Sequence, residues 1–439
     1  MSLRPELRDR AIERAAAVLE PIARSSRLLE SIAWPRKVER AFFAAGADRL
    51  PKPEYDVDTD RARANVDAVT ELEAELAGDH PILAWLRALC RSYGDANRML
   101  LGVGERSFYE LSLSLYGGAR STALDADTTN LDFAEHIAKR LALPAAPPGE
   151  RPLSTDEFIG EIEHRLRTRR PRIPLEIVRD PDLSAKVICG MTRLRVREGA
   201  TFSAAEADSL FFHEIETHAL TAQNGAAQRK LGFLRGGGPR TTRTQEGLAV
   251  FAELYGHALS TGRLLRLVER VRLVDMAEQG ASFLDLYRHL VLRGVGQRDA
   301  YLDAQRICRG GLVTGGAPFT KDASYLSGLM DVYNFLRVAL RAGARDVAEV
   351  LVSGRIALED VEPLLLLREQ GVLDPPVLLP RWLQRWDGLL AYFAFTSFLN
   401  EVDLEPVEAR HPLLVERARA QERERKSRPP PSLSSGEED

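Results

Sequence analysis

Cysteine is scarce in this sequence, with three in 439 residues. Cys90, Cys189 and Cys308 are far apart, odd in number and free of any C-x-x-C spacing. That argues against a disulfide framework or a thiolate zinc site, and reduced thiols are expected. Long hydrophobic runs are also missing. The most apolar stretch, 388–399, has 12 residues, where a bilayer-spanning helix needs roughly 20, so a buried helix is expected there. The opening MSLRPELRDRAIERAAAVLE is broken by Arg and Glu, which leaves no apolar core for a signal peptide and predicts a cytoplasmic protein. No large charge of one sign is present: the formal net charge is -4, giving no global field to recruit nucleic acid or an anionic membrane. Neither is expected as a partner, and oligomeric state is not readable. Lysine is rare, seven among 60 basic residues. Arginine is thus the default surface cation, which suggests a GC-rich coding sequence and a bacterial source.

What is present is ordinary in bulk. Hydrophobic residues at 44% and charged residues at 28% match soluble globular proteins, and the length allows two or three structural units with a sizeable core. Apolar residues recur every three or four positions over 4–32, 61–76 and 81–92, predicting amphipathic helices. The segment LPAAPPGERP at 143–152 concentrates four prolines and a glycine. It predicts a linker over 144–152, between a helical N-terminal region (1–143) and a second region (153–420). The tail over 421–439, with a Pro run and almost no apolar residues, is expected to be disordered.

Between 173 and 198, IPLEIVRD, SAKVICG and TRLRVREG are short β-favouring runs separated by turn residues, predicting two or three strands of a small sheet. Ser203 and Glu206 then form an S-x-x-E capping box, and the apolar pattern that follows predicts a helix to about Asn224, stopped by Gly225. A glycine-rich loop at 236–239 precedes a second helix expected over 242–259.

The first of these helices reads FFHEIETHAL, with His213 beside Glu214 and His218 five residues on. At 100° per residue this HExxxH spacing leaves the imidazoles about 140° apart on a regular helix, against about 40° for HExxH. One extra residue taken up as a π-bulge restores alignment, so a bulge is predicted between His213 and His218. Neutral imidazoles suit zinc, and an adjacent carboxylate can take a proton from a metal-bound water. Glu214 is therefore the candidate base and His213 and His218 the candidate ligands. A third ligand must come from another element. Glu246, read as lying in the first turn of the next helix, is one candidate, although an acidic residue there also suits the helix dipole. Glu253, two turns further on, is either a partner for an imidazole N–H or an ordinary salt-bridge carboxylate. His257 lies about 16 Å beyond Glu246 along a helix and cannot share its metal.

HEIETH followed by TQEGLAVFAE resembles the QEGLA-motif family, the flavohaemoglobin expression-modulating proteins of bacteria and the microtubule-associated tyrosine carboxypeptidases of eukaryotes. RICRGG (306–311) and PFTKDASYLSGL (318–329) extend the resemblance. It implies a zinc metallopeptidase with His213, His218 and Glu246 as ligands and Glu214 as base, acting on the C-terminus of a peptide or protein. The fold it implies is α+β, mainly α-helical, with a zincin-like core and a small sheet beside the metal-binding helix. Such an enzyme needs an oxyanion donor and a cation for the terminal carboxylate. Lys321, Tyr325, Arg306 and Arg309 are the candidates, each of them equally readable as a structural salt bridge or a packed aromatic. The arginines at 165, 167, 169, 170 and 172 form either a site for an acidic peptide, as the tubulin tail is for the eukaryotic relatives, or a solvated helix end. Two other readings remain: a non-catalytic zinc-binding regulator and a zinc hydrolase of a non-peptide amide.

Overall fold

The amphipathic periods of the N-terminal third do form helices, and the computed structural model shows what their apolar faces meet. It describes residues 3–25, 28–122, 127–141, 151–181, 183, 185–399, 405–410, 416, 420 and 423. The expected linker and tail therefore lie outside the described residues, apart from Arg151, Pro152 and Arg423. Helices Pro5–Ser25, Thr59–Glu75 and Pro81–Leu101 bury Ile12, Leu19, Leu72 and Leu86. These residues share one core cluster with Leu248, Phe251 and Leu336 from the later helices. The third of them starts on Pro81, whose missing N–H costs nothing in a first turn, and His80 Nδ1 accepts from Ile82 N at 3.2 Å.

The described residues are mainly helical with one three-stranded sheet, β1 (Glu176–Asp180), β2 (Val187–Cys189) and β3 (Arg193–Arg197). β3 is central, parallel to β1 and antiparallel to β2. Its alternation is strict: Leu194 and Val196 are buried, Arg193 and Arg195 exposed. The buried pair faces a cluster containing Phe158, Phe202, Phe211 and Ile215. The last two belong to the histidine-bearing helix, so the sheet lies against that helix as expected.

Two helices and the burial of a third differ from the sequence reading. The first helix does not stop at Gly225 but runs on to Ala227. A Cβ at Gly225 would lie 2.4 Å from Leu234 C and Arg235 N, so this glycine permits a close backbone approach and is not a cap. The second helix starts at Pro239 and ends at Tyr255, because Pro fits a first helical turn. The apolar helix Trp386–Leu399 buries only part of its surface: Leu389 and Phe393 are inside, Leu390, Tyr392 and Phe395 outside. No helix among the described residues is long and apolar enough to cross a membrane.

Candidate metal centre

The extra residue between the histidines is absorbed where the spacing requires it. Residues 204–227 are continuously helical, but Phe211–Ala219 is a π-helix between α-helical flanks. The helix starts on the capping box, with Ser203 Oγ accepting from Glu206 N at 3.1 Å and Glu206 Oε2 accepting from Ser203 N at 2.9 Å. Inside the widened turn Thr217 Oγ1 donates to the Phe212 carbonyl at 3.0 Å, five residues back. The two imidazoles end up with ring centroids 4.9 Å apart at 83°. On the same turn Glu216, buried, accepts from Arg169 Nε at 2.7 Å and Nη2 at 3.2 Å.

Glu246 reaches the histidines from the Pro239–Tyr255 helix. Since that helix begins at Pro239, Glu246 is two turns inside it and not in the first turn, so helix-dipole complementarity does not explain it. Ligand atoms of His213, His218 and Glu246 all lie within 4.8 Å of one another. Glu246 Oε2 is 3.4 Å from His213 Nε2 and 3.7 Å from His218 Nε2, and it is buried with no hydrogen-bond partner among the described residues. Its other oxygen accepts from Lys321 Nζ at 2.8 Å. On the far side of its ring, His213 Nδ1 lies 2.7 Å from Glu253 Oε1. Glu253 is fully buried and also accepts from Ser209 Oγ at 2.6 Å and Arg263 Nε at 3.3 Å. This carboxylate selects the His213 tautomer with its proton on Nδ1, leaving the Nε2 lone pair directed at the gap.

The electrostatics match a cation site. Burial opposes ionisation of Glu246, yet Lys321 and the two histidines hold its pKa well below the usual carboxylate range. Burial also works against a charged His213, but the surrounding carboxylates outweigh it and raise its pKa to about 10, so the ring without a cation keeps a proton on Nε2, and a metal bound there would take that proton's place. An orphaned carboxylate oxygen between two imidazole nitrogens is the donor set zinc takes, two N and one O with room for water. The residues present therefore fit the metal.

Two cavities meet at these residues. The first, about 580 Å³, is lined by His213, Glu214, Tyr325, Arg266 and Arg270 among others. The second, about 480 Å³, is lined by His218, Glu246, Lys321, Tyr93, Tyr116 and Arg355 among others. Glu214 is half-buried and accepts no hydrogen bond from the described residues. Tyr325 stacks on His213 with centroids 6.3 Å apart, and its hydroxyl is 3.5 Å from Lys321 Nζ. Of the candidate carboxylate clamps, Lys321 is taken by Glu246, and Arg306 by both oxygens of Asp322 at 2.6 and 2.9 Å. Arg309 packs 5.6 Å from the Phe319 ring centroid. His257 is exposed, past the end of its helix.

The arginine run at 165–172 is largely engaged within the fold. Arg169 is buried against Glu216, Arg165 pairs with Glu161 and Asp208, and Arg167 with Glu163. Sequence reasoning missed Arg266 and Arg270, whose i, i+4 spacing on the Thr261–Glu278 helix was the available signal. It also missed Gln245, whose amide nitrogen is buried beside the second cavity without a partner among the described residues.

The family model for microtubule-associated tyrosine carboxypeptidase matches residues 40–401. No curated protein matches the sequence significantly. Among solved structures, Trypanosoma cruzi metallocarboxypeptidase 1 aligns at 14% identity and a TM-score of 0.38, over 86% of this chain and 95% of that one.

Proposed function

The chain belongs to the microtubule-associated tyrosine carboxypeptidase family, and from that premise we propose that it is a zinc metallopeptidase removing residues from the C-terminus of a peptide or protein. The observation that carries the reading is the unpartnered Glu246 Oε2 between His213 Nε2 and His218 Nε2. The pairing of the π-helix with the Pro239–Tyr255 helix is read as a zincin-like core. His213, His218 and Glu246 would hold the zinc ion, which would supply Lewis acidity toward water and the scissile carbonyl.

The chain's own groups do the rest. Glu214, adjacent to a ligand and accepting no hydrogen bond from the other described residues, takes the proton from the attacking water and returns it to the leaving amine. Tyr325 donates its hydroxyl to the carbonyl oxygen as negative charge grows there. Lys321 keeps Glu246 ionised and oriented, and Glu253 fixes the His213 ring. A free Glu214 at the cleft wall favours catalysis over a purely structural site, which has no use for that carboxylate.

The test is release of single residues from free-ended peptides by zinc-loaded protein, followed by mass spectrometry, with Glu214→Gln as the control. Trimming from the C-terminus is expected, with turnover in Glu214→Gln reduced by about 10²-fold or more while zinc is retained. Undiminished turnover in the variant, or no cleavage of any peptide by the wild type, would contradict the proposal.

A further inference from the structure

An exopeptidase must bind the terminal carboxylate of its substrate, and Lys321 and Arg306 are both held by carboxylates of the protein itself. Two other guanidiniums line the first cavity without donating a hydrogen bond to any described residue. Arg266 is exposed. Arg270, with its side chain 14% exposed, comes only within 3.7 Å of Asp322 and lies 5.0 Å from the centroid of the Tyr325 ring. Four residues apart on the Thr261–Glu278 helix, they stand one turn from each other on one face. Five cations line this cavity, but three are paired, Lys186 with Glu206, Arg263 with Glu253 and Arg306 with Asp322, which leaves Arg266 and Arg270 facing the lining carboxylate Glu214. Arg270 is crowded by like charge: its pKa is lowered, by burial first and by Arg306 next, with Asp322 opposing. A partly enclosed cavity with two guanidiniums whose N–H groups are unused by the described residues can receive an anion.

The position of the base sets the direction. A general base that returns its proton to the leaving amine must stand on the leaving residue's side, and Glu214 lines the arginine cavity. The edge strand β2 bridges the two cavities, with Val187 lining the first and Cys189 the second. We propose that Arg270, assisted by Arg266, is the receptor for the substrate's C-terminal carboxylate. The residue to be released then occupies the arginine cavity, and the preceding residues cross the centre into the second cavity. There Tyr93 and Tyr116 offer apolar walls, and the Gln245 amide nitrogen, without a partner among the described residues, offers a donor for a peptide carbonyl. This assignment rests on the carboxypeptidase reading of the site.

Binding is measured without turnover, in zinc-loaded Glu214→Gln protein. The probe is a tetrapeptide labelled at its N-terminus, offered as the free acid and as the C-terminal amide, and read by fluorescence anisotropy. The acid is expected to bind about tenfold or more tightly than the amide, as for a charge-assisted hydrogen bond. In Arg270→Gln that preference is expected to fall to about threefold or less, and in Arg266→Ala to fall part-way. Asp322 keeps its Arg306 pair in both variants. If Arg270→Gln does not fold, the exposed Arg266 decides, and an unchanged preference there counts against the proposal. Equal binding of acid and amide, or a preference that survives Arg270→Gln, overturns it. Internal cleavage of end-blocked peptides with no carboxylate preference would remove this assignment and leave a metallopeptidase. An Arg270-dependent preference without hydrolysis of any peptide by the wild type would do the reverse.

Discussion

A single carboxylate, Glu253, controls whether His213 can present a lone pair. It is fully buried, holds Nδ1 at 2.7 Å and is itself held by Ser209 and Arg263. Glu253→Gln keeps the shape but removes the charge, so zinc affinity is expected to fall about 10- to 100-fold, measured by competition with a chelating indicator. An unchanged affinity would show that the tautomer is set elsewhere. At this scale the sequence is legible where chemistry demands a rare residue at a fixed spacing. His213, Glu214 and His218 stand out because few histidines are present and the five-residue gap has a geometric solution. Glu246 stands out only through its motif, since an acidic residue on a helix is common. Arg266 and Arg270 are invisible in a chain that uses arginine as its ordinary surface cation, and Arg169 is hidden inside a run of arginines although it is buried.

The helices themselves carry constraints that composition does not announce. Gly247, next to Glu246, lies against Gly328 of the Ser324–Arg341 helix: a Cβ at Gly247 would sit 2.2 Å from the Gly328 carbonyl oxygen. The motif glycine is thus a contact point between the helix that bears Glu246 and the one that begins just after Lys321. Gly247→Ala is expected to destabilise by about 1–3 kcal/mol through overpacking, seen in chemical denaturation. Because it shifts Glu246 against Lys321, zinc affinity should fall too; stability lost with affinity intact would uncouple the two. The π-helix was predictable because a regular helix fails for His213 and His218, a failure arithmetic can detect. The role of Gly225 was not, because a glycine that ends a helix and one that admits a neighbouring backbone look alike until the neighbour is known.

At the scale of the whole molecule, distant segments hold the histidine-bearing helix in place. Arg169, just after the Thr155–Thr168 helix, grips Glu216 and also donates to the Leu379 carbonyl at 2.7 Å, while Arg381 lies 3.5 Å from Glu216. Arg169→Ala would leave a buried carboxylate largely unpaired and is expected to cost about 3–5 kcal/mol in chemical denaturation; a cost below about 1 kcal/mol would mean Arg381 takes over. The mainly helical class and the small sheet were readable from period and composition. The packing of Ile12 and Leu19 into the same core as Leu248 and Phe251 was not, because an amphipathic stripe says that a face is buried and not against what. An ion that binds only the folded chain stabilises the whole molecule, so chelation should lower the melting temperature reversibly. The most direct test of the central claim is zinc per chain by elemental analysis, in the wild type, Glu246→Ala and Glu214→Ala. About one zinc in the wild type and in Glu214→Ala, with a clear loss in Glu246→Ala, is the predicted result. A wild type that takes up no zinc when it is offered, or a Glu246→Ala chain that binds it undiminished, would contradict the account.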